Sequence, residues 1–260
     1  MHHPITVTFL GTGTSQGVPP IGCDSEVCLS NNSKDKRLRS SLHIQFKDKS
    51  IVIDTGPDFR YQLLREGITD VDAILFTHEH RDHTGGLDDI RPINFNHNQK
   101  RVPVYCHERV LDAFKLQYSY FFQEVPYPGI PLVDFNLIDE SKDFELFGLP
   151  VQPIEVMHYK LPVLGFRFGK FAYITDANFI SEIELSKLVG VEVLVLNALR
   201  RTPHISHFTL EEATELALGI GAKQTYFTHM SHQIGLHDAV CEELPNGIDL
   251  AYDGLKIIIE

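Results

Sequence analysis

Apolar and polar residues alternate over several short stretches of the chain, and this pattern predicts β-strands. Residues 5–10 form the first stretch and lead into a glycine-rich turn at 11–17. Residues 42–46 and 51–53 flank a charged turn and are predicted to pair as a hairpin. Further strands are predicted at 102–106, 151–156, 165–168, 171–175, 193–196 and 225–227, with short terminal strands near Leu250 and at 257–259 that close the sheet.

Apolar residues recur at helical spacing in four segments between these strands. The predicted helices cover residues 58–65, 110–118, 181–188 and 209–218, with Asp58 and Thr209 as N-terminal caps of the first and last. The second half of the chain repeats the order of the first. Two β-rich halves with helices outside them predict two sheets packed face to face, covered on both sides by helices, in a single domain 1–260.

Residues 119–143 break this pattern, because they carry aromatic residues and prolines with little periodicity. We predict a lid or an insertion here. The apolar residues of this segment could equally form the contact of a homodimer, and the sequence does not separate the two.

Composition narrows the classes of function. The chain has 260 residues, 43% of them hydrophobic, and a formal net charge of -12, which disfavours binding to nucleic acid or to an anionic membrane and favours a small substrate. It contains no apolar stretch long enough to cross a bilayer, and residues 1–4 show no secretory signal, so we expect a cytoplasmic protein. Four scattered cysteines predict reduced thiols or metal ligands rather than a disulfide framework.

The densest chemistry lies in residues 77–86, Thr-His-Glu-His-Arg-Asp-His-Thr-Gly-Gly, directly after the apolar run 73–76. Imidazole and carboxylate groups are the ligands that zinc, manganese or iron accept, and a turn that leaves a buried strand can aim several of them at one point. The alternative, a solvated polar loop, does not explain this spacing. Asp54 ends another apolar strand and needs a specific partner there, such as a metal-bound histidine.

Together with a lone His158, Asp176 at a strand end and a late His229, this motif resembles the metallo-β-lactamase superfamily across nearly the whole chain. The resemblance implies an α/β (α+β) fold, a four-layer αββα sandwich, and a site for two divalent metals. Zinc or manganese is expected, and the same ligands accept iron or nickel. By the resemblance, one metal is held by His78, His80 and His158, the other by Asp82, His83 and His229, with Asp176 between them and Asp54 supporting a ligand.

Residues 11–19, 39–42 and 228–232 and the loop of Cys23 narrow the resemblance to the cyclic phosphodiesterase that accompanies carbon–phosphorus lyase and opens phosphoribosyl cyclic phosphate. That enzyme holds a structural zinc at the positions of Cys23, Ser25, Cys28 and His232. Serine at position 25 removes one thiolate ligand. An additional zinc at Cys23, Cys28 and His232 would therefore need a fourth ligand from elsewhere, and the alternative is a loop with two free thiols.

The resemblance also implies the chemistry. Two metals would generate a bridging hydroxide that attacks phosphorus, with Asp82 in the catalytic centre. His207 is expected to contact phosphate or to act as a general acid, unless it serves only a hydrogen bond at the start of a helix. Arg39, Arg200 and His204 are candidate substrate contacts.

Three functions fit this ligand set. The first is a metal-dependent hydrolase, a phosphodiesterase that opens a small cyclic phosphodiester. The second is a tRNA 3′-processing endonuclease of the ribonuclease Z type, although the sequence shows no basic arm to grip tRNA. The third is a non-catalytic metal-binding module. The fold does not fix the substrate, so the same site could also act on a thioester or a lactam.

Overall fold

The computed structural model describes residues 3–124 and 128–260. Within these ranges the strands are β1 Ile5–Gly11, β2 Ser41–Phe46, β3 Lys49–Ile53, β4 Ala73–Leu75, β5 Val102–Cys106, β6 Val133–Leu137, β7 Phe144–Leu146, β8 Leu149–His158, β9 Leu161–Phe168, β10 Phe171–Tyr173, β11 Val193–Asn197, β12 Gln224–Thr228, β13 Ile248–Leu250 and β14 Lys256–Ile259. The α-helices are α1 Glu26–Leu29, α2 Phe59–Glu66, α3 Arg81–Thr84, α4 Arg91–Asn96, α5 Glu108–Gln117, α6 Glu182–Ser186, α7 Leu210–Ile220 and α8 His237–Glu243.

The strands form two mixed sheets of related design. The first has the order β14-β1-β2-β3-β4-β5-β6 and the second the order β13-β12-β11-β10-β9-β8-β7. In each sheet an antiparallel part joins a run of parallel strands, β3 to β6 in the first and β10 to β13 in the second. The predicted hairpin of β2 and β3 is confirmed, with Leu42 opposite Ile53.

Alternating residues of the central strands supply three separate apolar layers. In β3, Ile51 and Ile53 join the cluster between the sheets, whereas Val52 joins the cluster beneath α2 and α5. In β10, Tyr173 faces the cluster between the sheets and Ala172 the cluster beneath the helices of the second half. Because successive side chains of a strand point to opposite faces, each central strand is buried on both sides. This produces the helix, sheet, sheet, helix order of the predicted αββα sandwich.

The observed helices agree with the prediction in position and differ at their ends. Helix α7 begins with a complete capping box, in which Thr209 Oγ1 accepts a hydrogen bond from the Glu212 backbone N–H at 3.2 Å and the Glu212 carboxylate accepts one from the Thr209 N–H at 2.8 Å. Asp58 precedes α2 but its carboxylate makes no capping hydrogen bond. That carboxylate binds Arg39 instead, accepting from its guanidinium at 3.0 and 3.1 Å and from its backbone N–H at 2.9 Å.

The predicted lid, residues 119–143, is partly built into the fold. It starts with a 3-10 helix, Ser119–Phe122, and continues to β6, the edge strand of the first sheet, which pairs in parallel with β5. Residues 125–127 of this segment lie outside the described residues.

The two terminal strands differ from the prediction that they close one sheet. Strand β13 extends the second sheet, and β14 extends the first. None of the helices in the described ranges is long and apolar enough to cross a membrane.

Candidate metal centre

Loops that follow strand ends of both sheets deliver the predicted ligands to one place. Asp54 follows β3, residues 78–83 follow β4, and His158 is the last residue of β8. Asp176 lies three residues beyond the end of β10, and His229 directly follows β12. Because β3 and β4 run parallel, as do β10, β11 and β12, their carboxyl ends meet at the same edge of the sandwich.

The backbone at three of these positions is held in an unusual conformation. Asp54, Asp176 and His229 have φ values of 62°, 55° and 56°, in the left-handed region that residues other than glycine rarely adopt. Each such residue costs on the order of 1–3 kcal/mol and persists only where the surrounding structure enforces it. Such strain at the ends of three buried strands is typical of a functional site.

Two carboxylates lie at the centre of the cluster. Asp176 Oδ2 is 3.2 Å from His83 Nε2, and Asp176 Oδ1 is 3.2 Å from His229 Nε2. Asp82 Oδ2 lies 3.2 Å from His83 Nε2 and 3.6 Å from His229 Nε2. Ligand atoms of these four residues all lie within 4.8 Å of one another. The ligands predicted for the second metal, Asp82, His83 and His229, therefore meet at one end of the site together with Asp176.

The other histidines continue this cluster as a chain of neighbouring rings. The rings of His78 and His80 are 4.6 Å apart between centroids, and those of His80 and His158 are 5.1 Å apart. His78 is fully buried, whereas His80 is exposed at the mouth of the site. Ligand atoms of His158, Asp176 and His207 also lie within 4.8 Å of one another, so His207 is close enough to act as a ligand itself.

Hydrogen bonds fix which nitrogen three of the histidines present. The Nδ1–H of His83 donates to Asp54 Oδ2 at 2.7 Å, and the Nδ1–H of His158 donates to the Ser206 carbonyl oxygen at 2.8 Å. Thr77 Oγ1 donates to Asp54 Oδ2 at 2.8 Å, which leaves it free to accept from the Nδ1–H of His78 at 3.0 Å. Each ring therefore presents Nε2 to the centre, the arrangement that supports a metal-bound histidine.

The donor set fits a pair of divalent metals. Within the described residues, the buried Nε2 atoms of His78 and His83 and both ring nitrogens of His229 have no hydrogen-bond partner. Buried polar atoms are normally paired, so ring nitrogens that converge on carboxylates without a hydrogen bond fit the role of metal ligands. The seven predicted ligands together with Asp54 would hold and support such metals, and zinc, manganese, iron and nickel all accept this mixture of nitrogen and oxygen atoms.

The electrostatics of the cluster agree with that fit. Burial opposes charge on His83, yet the carboxylates of Asp176, Asp82 and Asp54 raise its pKa well above the usual range. Burial lowers the pKa of His78 well below its usual range, and the charge of His83 adds to that effect. Burial raises the pKa of Asp54, which the bond from His83 partly offsets. A cation at the centre would replace the proton on His83 as the partner of these carboxylates.

The candidate substrate contacts divide into two groups. Arg39 Nη1 lies 3.0 and 3.1 Å from the two carboxylate oxygens of Asp58, so Arg39 would have to leave this partner to bind phosphate. Arg200 and His204 line a cavity of about 260 Å³ beside the glycine-rich turn at 11–17. The His204 ring lies 5.1 Å from the ring of His207, which places this cavity next to the cluster.

The structure joins Cys23 and Cys28 as a disulfide, whereas the sequence predicted reduced thiols or metal ligands. The short helix α1 turns the chain so that the two Cα atoms lie 6.0 Å apart, a separation at which cysteines can be bridged. A ring nitrogen of His232 lies within 4.8 Å of both sulfurs, and Ser25 Oγ is 3.2 Å from Cys23 Sγ. The three predicted ligands therefore do meet, and a metal there would require both thiols in reduced form.

Comparison with known proteins identifies the family. A profile described as Beta-lactamase superfamily domain matches residues 49–230, about two thirds of the chain. The chain belongs to the beta-lactamase superfamily. This confirms the prediction that the chain is a hydrolase with the metallo-β-lactamase fold. The match covers β3 to the loop after β12 and includes all seven predicted ligands.

Individual known proteins resemble the chain to different extents. A crystal structure of a diphosphatase from the PhnP family is 43% identical, covers 98% of each chain and has a TM-score of 0.92, which agrees with the predicted subfamily. An octanoyltransferase of Porphyromonas gingivalis is 42% identical over 97% of this chain and 51% of its own length. A ribonuclease Z of Methanopyrus kandleri is 28% identical over 62% of this chain and 53% of its own. The chain thus spans about half the length of these last two proteins.

Sequence reasoning missed the residues that orient the ligands. The Thr77 hydroxyl links Asp54 to His78, the Ser206 carbonyl fixes His158, and the Thr175 hydroxyl donates to Asp176 Oδ2 at 2.7 Å. Thr77 and Thr175 directly precede predicted ligands in the sequence, and a hydroxyl at such a position could have been predicted to orient its neighbour. Ser206 acts through its backbone and leaves no such signal.

Asp54→Asn should reduce metal affinity or turnover about 10- to 100-fold, the usual cost of losing a group that orients a metal-bound histidine. The amide offers a single acceptor oxygen to the three N–H and O–H groups that now bind the carboxylate. Metal content and steady-state kinetics would measure this loss. Asp134→Asn, at an exposed position of β6, is the control, and equal behaviour of the two variants would contradict the assigned role of Asp54.

Proposed function

We propose that the chain is a metal-dependent phosphoesterase that acts on small molecules. In these substrates the phosphorus atom that is attacked is bonded through oxygen to two organic or phosphoryl groups, one of which leaves. Cyclic phosphodiesters of the phosphoribosyl type and diphosphates both belong to this class. The observation that carries the proposal is that two cavities adjoin the ligand cluster, one lined by His80 and His158 and the other reached through His204, whose ring is 5.1 Å from that of His207. A phosphorus atom held at the cluster can direct one substituent into each of them.

The two cavities differ in character. The one of about 260 Å³ is lined by polar groups that include Arg200, His204 and Ser231. Arg200 donates to the Thr202 and Pro203 carbonyls and to Gln233, and Ser231 donates to the Leu199 carbonyl, so both would exchange these partners to bind an anion. The other, of about 480 Å³, contains His80 and His158 of the cluster together with Tyr159, Leu161 and Ile205. Polar donors on one side and apolar side chains on the other suit a substrate with two unlike substituents. The diphosphatase relative of 43% identity supports the same class.

Bound metals would supply a low-pKa water and would neutralise charge on the phosphoryl oxygens. The chain's own residues position and hold the reacting group. His207 lies between His158 and His229, at ring distances of 4.5 and 4.9 Å. Burial lowers the pKa of His207 to about 3, so the ring is neutral near pH 7. A neutral imidazole donates one hydrogen bond, which favours a contact with a phosphoryl oxygen over general acid catalysis.

His207→Ala should lower kcat by about 10²- to 10³-fold, the usual effect of removing one donor to a developing oxyanion. Metal content should stay close to that of the unaltered protein if His207 contacts substrate. His97→Ala, which removes an exposed imidazole that bonds the Thr69 carbonyl, is the matched control. Loss of metal in His207→Ala would instead show that this histidine is a ligand.

A panel of substrates tests the proposed function. The purified, metal-loaded protein would be assayed with bis-p-nitrophenyl phosphate, a ribose cyclic phosphate, a dinucleoside diphosphate, precursor tRNA and a thioester. Cleavage of at least one small phosphodiester or diphosphate with the highest kcat/KM is the expected result. A fully metallated sample that cleaves none of them would refute the proposal. Preference for precursor tRNA would favour ribonuclease Z activity, which the Methanopyrus relative carries in its name.

A further inference from the structure

We infer that the larger cavity beside the metal centre binds a planar aromatic group of the substrate, such as a nucleobase. This inference rests on the proposed function, since it assigns one substituent of the same scissile phosphorus. Its starting point is an exposed apolar patch, which we define as Tyr159, Phe179 and Ile205. Their exposed fractions are 50%, 57% and 65%, which is high for large apolar side chains at the mouth of a buried site.

The patch is continuous with the metal centre. Tyr159 directly follows His158, and Ile205 directly precedes Ser206, whose carbonyl oxygen holds His158 at 2.8 Å. Both Tyr159 and Ile205 line the cavity of about 480 Å³ that also contains His80 and His158. A group bound in this cavity would therefore touch the two outermost ligands of the cluster. This volume suits a small molecule rather than a protein segment.

Asn178 ties the three loops of the patch together. Its Oδ1 accepts from the Tyr159 N–H at 2.7 Å, and its Nδ2 donates to the Ile205 carbonyl at 3.3 Å. The backbone of Met157 pairs with that of Phe179 and Asn178, at 2.9 and 2.8 Å. The loops are thus fixed by hydrogen bonds while their apolar side chains stay in solvent. A rigid, exposed apolar surface beside an active site indicates a ligand that covers it.

The Tyr159 ring is the feature of the patch that favours an aromatic ligand, which would stack on the face that Lys160 does not cover. Tyr159 is held at a φ of 58°, so its position is imposed by the loop. Lys160 Nζ lies 5.2 Å from the centre of the Tyr159 ring, a cation–π contact that places a positive charge beside the aromatic face. Stacking of a base on a tyrosine ring needs no particular base edge, so the patch would accept different nucleobases.

The first test compares two substrates that differ only in the base. A nucleoside 2′,3′-cyclic phosphate and the corresponding cyclic phosphate of methyl riboside would be assayed with the unaltered protein, Tyr159→Ala and Tyr61→Ala. Tyr61 is a matched control because it is 58% exposed and lies on α2. We expect kcat/KM to favour the nucleoside about tenfold or more, and this preference to fall to about one in Tyr159→Ala alone. Tyr159→Phe should retain the preference because the ring is kept.

The second test measures binding without turnover. Calorimetry of AMP and of ribose 5-phosphate with the purified protein should show tighter binding of AMP, and Tyr159→Ala should remove the difference while Tyr61→Ala keeps it. Equal affinities in the unaltered protein would overturn the inference even if small phosphodiesters are cleaved. If no phosphodiester is cleaved, the proposed function fails, and the AMP measurement still decides whether the cavity binds an aromatic group.

Discussion

Asp176→Asn should lower the turnover rate by about 10³-fold or more and should reduce the amount of bound metal. Each oxygen of the Asp176 carboxylate lies 3.2 Å from a ring nitrogen of the second ligand group, one of His83 and one of His229. A ligand atom of His158, from the first group, lies within 4.8 Å of the same carboxylate, so Asp176 is next to both groups. Asparagine keeps the size but removes the negative charge and one acceptor. Several kcal/mol of stabilisation by the metals would be lost with them, and about 1.4 kcal/mol corresponds to tenfold in rate.

Metal analysis and kcat/KM measured on the same preparation would check this result. Asp72→Asn is the matched control, because Asp72 is also a largely buried carboxylate but pairs with Lys100 at 2.9 Å and with the Ser50 N–H at 2.9 Å. That control should lose stability and keep its metals. A fully metallated Asp176→Asn protein with turnover within tenfold of normal would show that Asp176 does not bridge the two groups.

Removal of metal should lower the melting temperature by about 5 to 10 °C and abolish activity. The centre brings the carboxylates of Asp54, Asp82 and Asp176 together in a buried site, where His83 is their shared partner, and a bound cation would offset their charge. A metal present at about one hundred times its dissociation constant stabilises the folded state by about 2.7 kcal/mol. For a domain of this size, each kcal/mol shifts the melting temperature by roughly 2–4 °C.

Calorimetric scans before and after treatment with a chelator would measure the shift, and addition of zinc or manganese should restore both the melting temperature and turnover. Two variants locate the responsible site. The shift should shrink in Asp176→Asn and persist in Cys28→Ser, which removes one sulfur of the Cys23 and Cys28 pair. A shift that disappears only in Cys28→Ser would place the stabilising metal at the cysteine loop instead.

The pattern of apolar positions predicted most strands, because alternation is a local property of the chain. The hairpin of β2 and β3, the buried strand β11 and the capped helix α7 all appear where the sequence places them. The short helices α3, α4 and α8 and the strand at 133–137 were not predicted. They contain few residues, and neighbouring elements rather than their own periodicity stabilise them.

The sequence also did not predict the partners of several side chains. The sequence predicted reduced thiols or metal ligands at Cys23 and Cys28, and the turn of α1 brings the two sulfurs together as a disulfide. It also predicted Asp58 as a helix cap, whereas Arg39, in the segment before β2, binds that carboxylate. The second difference arises because a contact between residues 19 positions apart competes with a local one, whereas the first depends on a local turn that alternation of apolar and polar residues does not reveal.

The sequence by itself determined the chemical identity of the site. The His78 to His83 motif, His158, Asp176 and His229 name a mixture of imidazole and carboxylate ligands, and no other set of side chains in the chain is as dense. Tertiary structure decided which of their atoms meet. Three features exist only after both sheets have packed. They are the strained backbone at Asp54, Asp176 and His229, the tautomers set by Asp54 and the Ser206 carbonyl, and the two adjoining cavities. Residues that are more than one hundred positions apart cannot signal such geometry through local propensity, because it arises from their packing.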